Sequence, residues 1–183
     1  KECDWSSDVC SSDLHELAHQ VGYVRDDSVF NESFAVAVED AGMERWHARR
    51  DDAQERLRYE QARERRRQFV TLMLRHRAIL EAFYDRQLPD EQRKEGKARL
   101  FADLQGDYAA LRASWDGYAG FDRFFDQGAN NALLASIATY SVKVPAFQAL
   151  LAQQGGDFPA FYREVKRLAA LPVAERDAAL ARL

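Results

Sequence analysis

The chain has 183 residues, with 26 basic and 30 acidic side chains, four histidines and two cysteines. This length suffices for a domain with a real core, and no run approaches the roughly 18 uninterrupted apolar residues that a membrane span needs. Acids and bases nearly balance, which gives no global electrostatic case for nucleic acid or an anionic membrane.

Residues 1–14 stand apart. Asp4–Leu14, DWSSDVCSSDL, back-translates without a mismatch to an oligonucleotide resembling the adapters ligated to DNA for short-read sequencing. We expect Cys3–Leu14 to be translated adapter and Lys1 and Glu2 to be unplaceable, so that residues 1–14 are a non-native segment to be left out of fold reasoning. The alternative is a natural polar N-terminus. Both Cys3 and Cys10 lie in this segment, so neither counts as disulfide or metal evidence. Without it, 25 basic residues face 26 acidic ones, a net charge of −1 in place of −4. Residues 15–183, 169 in all, are expected to form a single helical domain. This part begins inside what reads as a motif helix, which suggests the C-terminal part of a longer protein whose N-terminal half is missing.

Strand signals are almost absent and the helical period dominates, predicting an all-α fold of about seven helices. Leu14–Gln20 reads as a helix stopped near Gly22, where a glycine suits a left-handed cap. Asp26, Asp27 and Ser28 supply turn or capping groups before a second helix that starts near Asn31, with Phe34, Val38, Ala41 and Met43 as its buried stripe and Gly42 as a weak point. From His47 to Gln68 the chain is charged nearly all round, with acids and arginines at three- and four-residue spacings. Asp51, Asp52, Glu55, Glu60 and Glu64 neutralise much of the arginine charge, so a solvated connecting helix is expected rather than a nucleic-acid helix. An amphipathic helix follows and ends before Pro89, and another starts at Asp90. Asp116–Gly128 reads as a structured aromatic loop, and Asn130–Tyr140 as a buried helix. Pro145 opens a helix stopped by Gly155 and Gly156; Phe158–Leu171 and the tail supply the last two.

His15-Glu16-Leu17-Ala18-His19 is an HExxH motif on a predicted helix. Residues four apart share one face, so both imidazoles can reach one ion. Catalytic zinc takes three protein ligands and keeps one position open. Glu16, beside the metal face, can accept a proton from a metal-activated water instead of ligating. Glu32 lies thirteen residues after His19, across a loop long enough to turn the chain, and can present a third ligand from the next helix. Its alternative is a surface carboxylate in a first helical turn, favoured there by the helix dipole.

HELAHQ followed by NESFA resembles the gluzincin metallopeptidases, and more narrowly a bacterial family of predicted aminopeptidases. NNALLASIATYSVKVPAFQALL and GGDFPAFYREVKRLAALP resemble that family's later segment. The resemblance implies a zinc-dependent peptidase with a peptide as substrate, and a cell-envelope lipoprotein as its setting.

Supporting roles fall to fewer signals. Glu39, two turns beyond Glu32, can orient a ligand histidine through its other ring nitrogen. Tyr140 is the first candidate to steady a tetrahedral oxyanion, because Asn130, Asn131 and Tyr140 cluster polar groups on one helix; Tyr118 and Tyr23 are alternatives. His47 and His76 receive no function. The expected function is zinc-dependent hydrolysis of peptide bonds. The alternatives are a non-enzymatic helical interaction module, or a fragment that binds zinc and cleaves nothing.

Overall fold

In the computed structural model, residues 7–126 and 128–183 are described; Lys1, Glu2, Cys3 and Asp4, part of the segment expected to be adapter-derived, lie outside them. The described residues form α1 (Ser7–Val21), α2 (Ser28–Arg49), α3 (Ala53–Tyr84), α4 (Asp90–Ala113), a 3-10 turn at Asp122–Phe124, α5 (Asn131–Ser141), α6 (Val144–Gln153), α7 (Phe158–Ala169) and α8 (Val173–Leu180). No strand occurs among them. The all-α class is therefore as expected, while several boundaries differ. Helix α1 extends from Ser7 to Val21, beginning well before the expected start at Leu14. Helix α2 starts at Ser28, with the Asp27 carboxylate accepting from the Phe30 N–H at 2.9 Å. His47–Arg49 close α2, and the rest of the charged stretch from Ala53 runs on into the amphipathic stretch as one helix, α3.

The contacts cluster in two units. One contains α1, α2 and the chain from Thr139 onward; the other spans Leu57–Ala138. In the first, Ala18, Phe30, Phe34, Ala35, Val38, Phe147, Leu150, Phe161, Val165 and Leu180 form one buried cluster. Helix α2 is buried almost all round from Phe30 to Val38, so the expected single stripe is too narrow. The small residues Ser33, Ala35 and Ala37 let neighbouring helices close on its backbone. Gly42 serves the same end: a Cβ there would meet Leu14 Cδ1 at 2.7 Å, so this glycine gives close approach to α1. Gly22 likewise lacks the expected left-handed conformation and instead makes room for Val165. Gly155 and Gly156 do take positive φ and stop α6.

Phe147 is fully buried, with its ring centroid 5.1 Å from that of Phe30 and 5.7 Å from that of Phe34. Truncation there leaves a cavity that helices packed on several sides cannot close. Phe147→Ala is expected to cost about 3–5 kcal/mol of unfolding free energy, readable by urea denaturation.

In the second unit, Phe69 stacks on Phe121 at 4.3 Å and Tyr108 on Phe125 at 4.3 Å. Trp115 Nε1 donates to Gln68 Oε1 at 2.6 Å, and Tyr108 donates to Asp122 at 2.6 Å. These contacts make the aromatic loop the structured element its composition predicts. Helix α5 is less buried than expected; among its residues only Leu134 and Ala138 are buried. Asn131–Gln153 has the length and mean hydropathy of a membrane span, but α5 and α6 break within it.

Candidate metal centre

The centre is built on the turn between α1 and α2. Asp26 takes positive φ (64°), a conformation Asp tolerates better than most residues, and so reverses the chain. The Val24 N–H donates to Asn31 Oδ1 at 2.8 Å, and Asn31 Nδ2 donates back to the Val24 carbonyl at 2.8 Å. Asn31 is buried, and this two-bond clasp fixes the residue immediately before Glu32. Sequence reasoning missed it; the signal available was an amide directly after Phe30 and three residues before Phe34.

Across this turn His15, His19 and Glu32 come together, each offering one ligand atom within 4.8 Å of the others. His15 Nε2 lies 3.2 Å from Glu32 Oε2, and His19 Nε2 lies 3.8 Å from Glu32 Oε1. Tetrahedral zinc with bonds of about 2.0–2.1 Å sets its ligand atoms about 3.3 Å apart, so the trio needs only small adjustments to close on an ion. The donor set, two imidazoles and a carboxylate, is also one that zinc accepts. Both rings turn Nε2 to the shared point. His15 Nδ1 then meets Glu39 Oε2 at 3.3 Å, while His19 Nδ1 is buried without a hydrogen-bond partner among the described residues. The three side chains are only 17–21 % exposed, at the edge of the core rather than in open solvent.

The remaining residues of interest divide by place. Glu16 is exposed, and its charge reaches Tyr140. The Tyr140 ring lies 6.3 Å from that of His15. Its phenol is held above the ordinary tyrosine value, first by the charge of Glu32, then by burial, a hydrogen bond to Glu32 and the charge of Glu16. Tyr23 sits at the other imidazole, 6.2 Å from the His19 ring, and is largely exposed. Tyr118 belongs to the second unit, where Arg65 lies 4.6 Å over its ring and Trp115 and Phe121 flank it. The expected polar cluster around Tyr140 does not form as such: Asn130 accepts from the Leu133 N–H and Asn131 donates to the Tyr84 hydroxyl, both in the second unit. Tyr140 therefore earns its place by proximity to His15.

Glu39 gains a further partner in Ser11, whose hydroxyl donates to Oε1. Ser11 falls in the segment expected to be adapter-derived, and a genomic read across this locus tells whether that serine is native. The other two histidines are buried away from this centre. Burial lowers the pKa of His47, and His76 Nε2 lies 2.8 Å from Asp107 Oδ2 between α3 and α4.

A family model described as "Putative aminopeptidase" matches residues 6–180. The chain belongs to this family. The match takes in all eight α-helices of the described residues and hence every side chain placed at the centre. No curated protein and no solved structure matches the chain. Family membership supports a peptidase and agrees with the peptide substrate expected from the HELAH and NESFA segments.

Proposed function

We propose that this member of the aminopeptidase family is a gluzincin-type zinc peptidase, with His15, His19 and Glu32 as metal ligands and Glu16 as general base. The observation that carries the reading is the convergence of two Nε2 atoms and one carboxylate from consecutive helices. When bound, zinc supplies Lewis acidity that polarises a carbonyl and makes water nucleophilic near neutral pH. Glu16 takes the proton of the attacking water and passes it to the leaving amine. Glu39 accepts from His15 Nδ1–H and so holds that ring with Nε2 toward Glu32. The Tyr140 hydroxyl donates to the oxygen on which negative charge develops.

The direct test is metal content: the purified chain is expected to carry one zinc, measured by inductively coupled plasma mass spectrometry. Aminoacyl-coumarin substrates, free and N-acetylated, then distinguish the exopeptidase, which cleaves only the free amine, from an endopeptidase. A folded, metal-free protein from zinc-replete cells would instead favour the helical interaction module. Tyr140→Phe is expected to keep its zinc and lose about 10²-fold in kcat, the scale on which oxyanion donors act. Wild-type kcat in that variant removes Tyr140 from the mechanism.

A further inference from the structure

Helix α8 carries a buried cation that neither metal binding nor proton transfer uses. Arg176 is 2 % exposed; its Nη2 donates to Asp27 Oδ2 at 2.6 Å and its Nη1 to the Leu171 carbonyl at 3.0 Å. Its guanidinium lies 5.1 Å from the centroid of the Phe30 ring. A charge so fully removed from water is costly unless its donors are met, and replacing such a pair by apolar groups is often neutral for stability. Stability alone is therefore a weak reason for this pair.

Its location offers a stronger one. Asp27 shares its carboxylate: Oδ1 caps α2 through the Phe30 N–H, and Oδ2 receives Arg176. Burial pushes this carboxyl upward, but the Phe30 amide, the Arg176 hydrogen bond and the charges of Lys143 and Arg176 outweigh it and hold Asp27 below its ordinary value. Glu32 stands five residues further along the same helix. The next residue of α8, Asp177, accepts from Lys143 Nζ at 2.5 Å. The Lys143 N–H donates at 3.3 Å to the Ser33 hydroxyl, on the residue after Glu32. Lys143 itself lies three residues beyond Tyr140. One turn of α8 thus grips both the segment that delivers Glu32 and the segment that delivers Tyr140.

We propose that Arg176 is a positioning residue, which holds the start of α2 through Asp27 and so sets Glu32 against the two imidazoles. This inference rests on the metal reading above. It is tested on the full chain with the double substitution Asp27→Asn/Arg176→Met: asparagine still caps α2, and methionine fills much of the vacated space. Zinc ion is titrated against a competing chelator, and the visible absorption of the cobalt(II)-loaded protein reports ligand geometry. The expected result is native far-ultraviolet circular dichroism with zinc affinity at least tenfold weaker and an altered cobalt spectrum. Arg176→Lys retains the buried charge but cannot span Asp27 and the Leu171 carbonyl together, and is expected to weaken zinc at least threefold. It also decides the matter should the double variant fail to fold. Affinity within threefold of wild type in whichever variants fold, with an unchanged cobalt spectrum, overturns the inference while leaving the metal reading intact. A wild-type chain that binds no zinc overturns both.

Discussion

Glu16→Gln is expected to retain one zinc per chain and to lose peptide hydrolysis by about 10²–10⁴-fold, the range over which a positioned acid–base group contributes. The substitution changes one atom of an exposed side chain that takes no part in the core, so neither fold nor metal loading should respond. An amide has no lone-pair basicity to accept a proton from water, and it has no acid to return to the leaving amine. The position within HELAH is the reason the proposal gives this role to Glu16 rather than to Glu32 or Glu39. His15 and His19 turn their rings to α2, and Glu32 and Glu39 are drawn into contact with them. Glu16 stays outside those pairings, close enough for its charge to raise the Tyr140 phenol. The proposed base and the proposed oxyanion donor are thus within electrostatic reach of each other. Two results contradict the assignment: retention of more than a tenth of wild-type activity, or loss of the metal along with activity, which would make Glu16 a ligand.

The convergence of His15, His19 and Glu32 was legible because the pattern behind it is local. The i, i+4 histidines need nothing but a helix to share a face, and the thirteen-residue interval to Glu32 spans one turn of chain reversal. The stop at Gly155–Gly156 and the ordered aromatic loop were equally readable from composition. Other features depend on contacts that no local pattern encodes. Helix α2 has no clean stripe, because a periodicity argument presumes a wet face and residues Phe30–Val38 have almost none. Helix α3 runs on through the expected boundary near Gln68, since Arg, Glu, Gln and Ala are all good helix formers and a shift in charge does not end a helix. Gly22 and Gly42 were read as backbone signals, yet their role is to leave space for Val165 and Leu14. Arg176 meets Asp27 across 149 residues, a pairing that only the folded chain reveals.

His19→Ala is expected to abolish zinc binding, and thermodynamic linkage makes the loss visible without any substrate. A ligand that binds only the folded chain stabilises it by about 2.7 kcal/mol when free ligand is 100 times Kd. The wild-type melting temperature should therefore rise when zinc is added to metal-free protein and fall again with chelator. In His19→Ala the same additions should leave it unmoved, since His15 and Glu32 alone leave the ion short of a third protein ligand. The imidazole is a fair target: it is one-fifth exposed, and its Nδ1 has no protein partner among the described residues whose loss would itself destabilise the fold. Glu32→Gln should behave as His19→Ala does, because the carboxylate is the only anionic member of the trio and neutral imidazoles do not offset the ion's charge. Stoichiometric zinc in the His19→Ala protein would mean that the ion, if held, is held elsewhere, and the hydrolase reading would go with it. A wild-type chain indifferent to zinc would leave the three side chains as a pair of histidine–carboxylate contacts bracing α1 against α2.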